Sequence, residues 1–152
     1  MIECAFELNG RPMSMFKMNA LQFPAFSGLD NHANQPRFAC NPDLGPIPPG
    51  AYYIVDRRSG GRLGPLRDFF VDRSEWFALY ATDGKIDDET FCNGVKRGNF
   101  RLHPRGAAGI SRGCITIQHQ ADFNIIRAHL RAGRQINIPG SSMTAYGRVT
   151  VK

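Results

Sequence analysis

The alternation of apolar and polar residues predicts short β-strands in the first part of the chain. "CAFELNGRPMSMFKM" alternates on both sides of Asn9-Gly10, and this dipeptide tolerates the positive φ angles of a two-residue hairpin turn. "LQFPAFSG" is predicted to be a third strand, in which Pro24 indicates an edge or a bulge. We therefore expect a hairpin followed by one further strand.

A long polar segment from Leu29 to Gly50 comes next and ends in "GPIPPG". Loops longer than about 12–15 residues are more often functional than accidental, so we expect an ordered loop here. Beyond it, the β-branched and aromatic composition typical of strands occurs in "AYYIVDR", "WFALYA", "NFRLHP" and "AYGRVTVK". The segment "TDGKIDDET" between two of them is predicted to be a polar loop.

One segment, "ADFNIIRAHLRAG", has the apolar spacing of a helix. Phe123, Ile126 and Leu130 fall at positions i, i+3 and i+7. Asp122 is predicted to cap the N-terminus of this helix, and Gly133 to end it. Since no internal repeat or linker is visible, residues 1–152 are predicted to form a single mostly-β domain with one main α-helix.

The charge of the chain is basic, with a formal net charge of +6 and a pI near 9.5. Such a surface can attract nucleic acid, an anionic membrane or an acidic wall polymer. The arginines form no continuous block, and no aromatic RNA-binding signature is present. Nucleic acid is therefore not the expected partner, although a non-catalytic basic domain that binds wall polymer or nucleic acid remains an alternative.

The chain has four cysteines but no Cys-x-x-Cys pair, so a zinc ribbon or a thioredoxin-like motif is not predicted. Cys40 and Cys92 both lie in loop-like sequence and can pair in an oxidising compartment. The opening "MIECAFELNG" lacks the basic and apolar regions of a signal peptide, and no segment suggests a transmembrane span. We expect synthesis in the cytoplasm and, for any action outside it, export by a route that reads no such signal.

The segment "ISRGCITI" places Cys114 after a turn and before a predicted strand. A buried core thiol and a catalytic nucleophile both fit this position. For a nucleophile, Gly113 would allow close approach of the backbone, and the Gly113 and Cys114 amides would form an oxyanion hole. Ser111 can hydrogen-bond within the turn or to His103, and Arg112 would favour the thiolate and a substrate carboxylate.

Four histidines compete for the role of base. His32 lies in a polar loop and is expected to be solvated, while His119 points away from Cys114 if "CITIQ" is extended. His129 lies near the helix C-terminus, where the helix dipole favours a cation. His103 ends a predicted strand eleven residues before Cys114, and the small, flexible "PRGAAGI" lies between them. His103 is therefore the predicted partner.

The segments "LHP" and "SRGCI" together resemble the catalytic motif of the L,D-transpeptidase (YkuD-type) family. The similarity is closer to L,D-transpeptidase-like effectors of bacterial type VI secretion, because "FSG" at 26–28 and "GPIPPG-x-Y" at 45–52 precede the motif in the same order. The resembling elements run from about Phe26 to Ile117. Arg112 stands where many members have histidine, and the spacer after His103 is shorter than in most wall-building members.

This resemblance implies twisted, mostly antiparallel sheets around a catalytic cleft, with Cys114 as nucleophile and His103 as its base. Ser111 and Gly113 would shape the turn. The enzyme would attack tetrapeptide stems of peptidoglycan, expel the terminal D-alanine and form a thioester. Water would then complete an L,D-carboxypeptidase reaction and an amine an exchange reaction, without metal or cofactor.

The candidate substrate-binding residues are Arg112, Ser27, Gly28 and Arg101. The resemblance also implies an antibacterial toxin that is delivered by secretion machinery, acts in the periplasm of a target cell and is neutralised by a cognate immunity protein in its producer. A cysteine endopeptidase or amidase that cuts elsewhere in the wall would use the same Cys–His pair, so that enzyme class remains a second alternative.

Overall fold

The computed structural model describes residues 1–57, 75–106 and 113–152. The strands in this part of the chain are β1 (Ile2–Phe6), β2 (Ser14–Met18), β3 (Leu21–Phe26), β4 (Gly50–Asp56), β5 (Phe77–Ala81), β6 (Glu89–Cys92), β7 (Val95–Gly98), β8 (Arg101–Pro104), β9 (Ile115–Ile117), β10 (Ile136–Asn137), β11 (Thr144–Ala145) and β12 (Gly147–Val151). Helix α1 spans Gln120–Ala132, and two short 3-10 helices span Asp30–His32 and Pro36–Phe38.

Eight of these strands close into a barrel in the order β1-β12-β4-β5-β8-β9-β3-β2. The pairs β1–β12 and β8–β9 are parallel, and the other neighbouring pairs of the barrel are antiparallel. β6–β7 and β10–β11 form separate two-stranded hairpins. The prediction of a mostly-β fold with one main helix is confirmed.

Alternate side chains of the barrel strands point inward and form the main core, which includes Phe16, Ile54, Leu102, Ile115 and Val149. The apolar face of α1 belongs to the same cluster through its buried Phe123, Ile126 and Leu130. Burial of each such side chain contributes about 1.5–3 kcal/mol. The helix also contacts β8 and β9. The packing of α1 in the core therefore helps to fix the position of these two strands.

The ends of α1 agree only in part with the sequence prediction. Gly133 is the C-cap, and its N–H donates to His129 O at 3.1 Å. The prediction of Asp122 as N-cap is wrong, because His119 holds that position and Asp122 lies in the first turn. β9 ends at Ile117, so only two residues separate the strand from the helix, which begins earlier than its apolar periodicity indicated.

The first hairpin forms, but the predicted tight turn at Asn9-Gly10 is wrong. β1 pairs with β2 around Ala5 and Lys17, and of the dipeptide only Gly10 has a positive φ, +72°. Leu8 N–H donates to Lys152 O at 2.8 Å, and Gly10 N–H donates to Asn34 O at 2.8 Å. These bonds hold the chain against other segments and widen the connection.

A hairpin that was not predicted, β6–β7, has the tight turn instead. Cys92 pairs with Val95 across Asn93 and Gly94, whose φ angles are +49° and +78°. Both central residues of a type I′ turn need positive φ, and Asn-Gly suits them. The predicted polar loop "TDGKIDDET" therefore ends earlier than expected, because its last two residues, Glu89 and Thr90, already belong to β6.

The segment between β3 and β4 is an ordered loop, as predicted. It contains both 3-10 helices and is tied internally by Leu29 N–H to Leu44 O at 2.9 Å and by Asn41 N–H to Phe38 O at 2.9 Å. A disulfide joins Cys40 in this loop to Cys92 of β6. The loop is therefore covalently linked to the β6–β7 hairpin.

Pro24 lies opposite Met15 of β2 and just before Ala25, where the pairing of β3 with β9 begins. The predicted edge position is wrong, because β3 lies between β2 and β9 in the closed barrel, and Pro24 O accepts from Gln118 N–H at 2.9 Å just beyond β9. In the described part of the chain, no helix is long and apolar enough to cross a membrane.

Candidate active site

The parallel pair β8–β9 brings the predicted nucleophile and base to one side of the barrel. Leu102 pairs with Ile115, and His103 pairs with Thr116. Leu102 and Ile115 point into the core, so His103 and Thr116 lie on the outer face. Cys114 immediately precedes β9, two residues before Thr116, so the same alternation directs its side chain towards that face. We call the outer face that carries Arg101, His103, Cys114 and Thr116 the site face.

The strand geometry makes His103 and Cys114 diagonal neighbours on the site face. Adjacent strands lie about 4.8 Å apart and rise about 3.3 Å per residue, which gives about 8 Å between the two Cα atoms. An imidazole and a thiol can span most of that distance when both side chains lie on one face. The register thus supports the predicted partnership of these two residues.

The imidazole of His103 is held in one orientation. Its Nδ1 lies 2.6 Å from Pro104 O, and because a carbonyl oxygen only accepts hydrogen bonds, Nδ1 carries the hydrogen of the neutral ring. Nε2 is then the basic nitrogen, and Thr116 Oγ1 lies 3.5 Å from it. The Trp76 indole stacks on the ring at 4.1 Å with an interplanar angle of 18°. Stacking and 4% exposure shield the base from solvent.

The thiol of Cys114 is half-buried, and its Sγ lies 4.0 Å from Asn99 O. A negative charge on this sulfur interacts with Arg101 across the parallel pair. Positive charge beside a partly exposed thiol is the environment that favours a thiolate. Cys4 is the opposite case, because burial, followed by the charge of Glu3, raises its pKa to about 12.

Arg101 forms a bidentate ion pair with Asp88, at 2.8 Å and 2.7 Å, and also donates to Phe100 O at 2.9 Å. Burial alone would lower the pKa of Arg101, but the hydrogen bonds and charge of Asp88, with Cys114 and Tyr80, raise it. Its guanidinium is thus fixed close to the sulfur. Its predicted contact with substrate remains a prediction.

Gly113 occupies a conformation that a side chain would disturb. Its φ is +80°, and a Cβ at this position would lie 2.6 Å from Arg97 Nη2 and 2.9 Å from Phe100 Cε1. The turn before Cys114 is therefore packed tightly against the barrel. The other two predicted residues of this turn, Ser111 and Arg112, lie outside the described residues.

Ser27 and Gly28 are fully enclosed. The Ser27 hydroxyl accepts from Ile47 N–H at 2.8 Å, and its side chain has no exposed surface. Gly28 has φ +98°, and a Cβ there would lie 3.0 Å from both His32 O and Pro46 N. Their contacts are those of residues that anchor the long loop, and their predicted contact with substrate stays a prediction without support from these contacts.

The other histidines lie away from the site face. His32 packs its ring against Phe38 at 4.2 Å, so it is half-buried rather than solvated as predicted. His119 is exposed at the start of α1, and His129 is exposed near its end. The preference for His103 over these three is consistent with the fold.

Several residues of the site were not assigned a role from the sequence. Thr116 shares a face with Cys114 by strand alternation, a signal that was present. Trp76 covers the base by stacking on its ring. Asp88 and Asn99 had no recognisable signal, because their positions depend on how the β6–β7 hairpin folds. Within the described residues, no group of three or more His, Cys, Asp or Glu side chains is placed to hold a metal ion.

A family model described as the Tlde1 domain matches residues 21–141, a range that contains β3 to α1 and both His103 and Cys114. The chain belongs to the Tlde1 domain family. Tlde1 domains are effector domains of type VI secretion, so the membership indicates a secreted antibacterial effector with enzymatic activity on the cell wall. No curated protein and no solved structure shows significant similarity to this chain.

Proposed function

We propose that this Tlde1 domain is a cysteine-dependent enzyme that modifies tetrapeptide stems of peptidoglycan through a thioester at Cys114. The reaction is L,D-carboxypeptidase hydrolysis, L,D-transpeptidase exchange, or both. The observation that carries the proposal is the parallel register of β8 and β9, which pairs His103 with Thr116, two residues after Cys114.

In the acylation step, His103 Nε2 takes the proton of the Cys114 thiol. The thiolate attacks the carbonyl carbon of the diamino acid, and the oxyanion accepts hydrogen bonds from the Gly113 and Cys114 amides. The bond between this carbon and the nitrogen of the terminal D-alanine breaks. The protonated imidazole returns its proton to the departing amine, which leaves a thioester.

The second step removes the acyl group. His103 Nε2 takes a proton from water or from an amine acceptor, which attacks the thioester carbon and restores the Cys114 thiol. Water gives a tripeptide stem, and an amino acid gives an exchanged stem. The Nδ1 hydrogen bond to Pro104 O keeps Nε2 available in both steps.

The residues around this pair supply orientation and charge. Trp76 fixes the plane of the imidazole and shields it from water. Arg101 brings a positive charge near the sulfur, and Asp88 holds that guanidinium in place. We expect substrate to approach from the solvent side of Cys114, and contacts of Ser111 and Arg112 with it remain predictions from the sequence.

As an effector, the protein is expected to pass through secretion machinery and act in the periplasm of a target cell. Its producer then needs a cognate immunity protein. Because the pair lies on an outer face of the barrel, a protein that covers Cys114 would block the substrate directly.

The test is incubation with tetrapeptide-rich sacculi, followed by mass analysis of the muropeptides. We expect tripeptide or exchanged stems from the wild type, and neither from Cys114→Ala or His103→Gln. Cys4→Ala and His129→Gln are matched controls, because they change the same residue types away from the site face and should retain activity. Unchanged muropeptides with folded wild-type protein would refute the proposal.

The identity of the released fragment separates the alternatives. Loss of a single D-alanine supports the proposed reaction. Release of a peptide fragment or of the whole stem would instead assign the same Cys–His pair to an endopeptidase or an amidase.

A further inference from the structure

Arg97 of β7 is a buried arginine without an acidic partner. Its exposure is 3%, and within the described residues its guanidinium forms no ion pair. Burying an unpaired charge costs free energy unless strong hydrogen bonds replace water. A residue kept in such a position therefore needs a compensating set of contacts.

Three backbone carbonyls of the long loop provide those contacts. Nη1 donates to Ala39 O and, at 3.1 Å, to Pro46 O, while Nη2 donates to Gly45 O at 3.2 Å. Proline residues have a carbonyl oxygen but no N–H, so the backbone of the "GPIPPG" segment has fewer hydrogen-bond donors than acceptors. Its carbonyl oxygens therefore need donors from elsewhere in the protein. Carbonyl dipoles stabilise the guanidinium but do not neutralise it, so a full positive charge remains inside the protein.

The same guanidinium lies against the turn that precedes Cys114. A Cβ on Gly113 would come within 2.6 Å of Nη2, so only glycine fits at this contact. The Phe100 ring lies 5.3 Å from the guanidinium carbon and 2.9 Å from the same Cβ position. Arg97 therefore connects the long loop to Gly113, the residue whose amide would form half of the oxyanion hole.

The positive charges of Arg97 and of its neighbour Arg101 are compensated differently. Asp88 neutralises much of the field of Arg101 through a bidentate ion pair, whereas the described contacts of Arg97 are with carbonyl oxygens, the Phe100 ring and the Tyr52 phenol, none of which is a carboxylate. An uncompensated charge in a poorly solvated environment acts more strongly on a nearby thiolate.

We infer that Arg97 is a positioning residue for the Cys114 site: it fixes the Gly113 turn against the long loop and keeps a positive charge beside the residue that precedes Cys114. This inference rests on the proposed role of Cys114 as nucleophile. In the described residues, the titratable and charged groups that interact with Arg97 or with the Cys114 side of β8 are Tyr52 from β4, Arg101 and His103 from β8, Asp88 before β6, and Tyr80 from β5.

The test compares Arg97→Met and Arg97→Lys with the wild type, and Arg148→Met is the control. Arg148 is a partly exposed arginine on β12 that pairs with Glu3. Circular dichroism checks the fold, and the rate of alkylation of Cys114 against pH gives the midpoint of thiolate formation. Turnover of tetrapeptide stems gives kcat and KM.

For Arg97→Met we expect the alkylation midpoint to rise by about one pH unit, since one cation near the thiolate is lost. For Arg97→Lys we expect a smaller rise, but a fall in kcat of about tenfold or more with little change in KM, because an ammonium cannot replace the three-carbonyl contact. Arg148→Met should match the wild type in both measurements.

A folded Arg97→Met variant with an unchanged midpoint would overturn the inference. If that variant fails to fold, Arg97→Lys decides, because wild-type kcat in the lysine variant would make the role purely structural. The alkylation measurement needs no substrate. Failure of the proposed function, seen as wild-type protein that leaves stems unchanged, is therefore distinguishable from failure of this inference.

Discussion

Removing the disulfide between Cys40 and Cys92 should lower the free energy of unfolding by a predictable amount. The two cysteines are separated by 52 residues, and cross-linking a loop of this length removes about 4 kcal/mol of chain entropy from the unfolded state. The bond joins the long loop to the β6–β7 hairpin, the same two segments that Arg97 connects by hydrogen bonds. We therefore expect a loss of about 2–4 kcal/mol in Cys40→Ser/Cys92→Ser.

Urea unfolding of the wild type and the double variant, each with and without a thiol reductant, measures this loss. Far-UV circular dichroism follows the whole fold. Fluorescence follows the site, because the chain has one tryptophan, Trp76, and it stacks on His103. The reduced wild type should match the double variant, and reductant should leave the double variant unchanged. Equal stabilities of the oxidised and reduced wild type, within about 1 kcal/mol, would refute the reasoning.

Four further predictions concern single side chains. At pH 7, iodoacetamide should label native protein at Cys114 and leave Cys4 unlabelled, because burial raises the pKa of Cys4 to about 12; peptide mass mapping checks this. The folded state favours the neutral Cys4 thiol, so the stabilisation that comes from this protonated thiol is complete below about pH 9. As the pH rises from there towards 12, the free energy of unfolding should fall by about 1.4 kcal/mol per pH unit. Urea unfolding from pH 8 to 11 should therefore show a shallower decline in Cys4→Ala. Arg101→Met should raise the pH at which Cys114 is alkylated, since one positive charge near the sulfur is lost. Phe123→Ala should lower the unfolding free energy by about 3–5 kcal/mol in urea titrations, because this ring is fully buried.

Each of these predictions has a result that contradicts it. Rapid labelling of Cys4 in folded protein would show that its burial is wrong. A decline with pH that is identical in Cys4→Ala would remove the thiol as its cause. An unchanged alkylation profile in Arg101→Met would mean that Arg101 does not stabilise the thiolate. A cost below about 1 kcal/mol for Phe123→Ala would place α1 outside the core.

The eight barrel strands and the helix could be predicted from the sequence because burial imposes a local period on each of them, whereas the hairpins β6–β7 and β10–β11 were not predicted. Phe123, Ile126 and Leu130 mark the buried face of α1 without help from the rest of the chain. Turns were less predictable. Asn9-Gly10 and Asn93-Gly94 are the same dipeptide, yet only the second forms the tight hairpin turn. Distant contacts such as Gly10 with Asn34 decide between them.

The candidate site could also be predicted only in part from the sequence. Strand alternation and short spacing pointed to His103 and Cys114, and the parallel register of β8 and β9 is consistent with that choice. The tautomer of the base depends on Pro104 O, and the position of Arg101, whose charge interacts with the sulfur, depends on its distant partner Asp88. No local pattern distinguishes Arg97 from the exposed arginines, because its burial arises from a loop more than fifty residues earlier in the chain.

The most direct test of the thioester at Cys114 is mass analysis of enzyme that is quenched in acid during turnover of a tetrapeptide donor. We predict that the peptide containing Cys114 carries the stem acyl group and that hydroxylamine removes it. An adduct on a different residue would contradict the account. So would undiminished release of D-alanine by enzyme whose Cys114 is fully carboxymethylated.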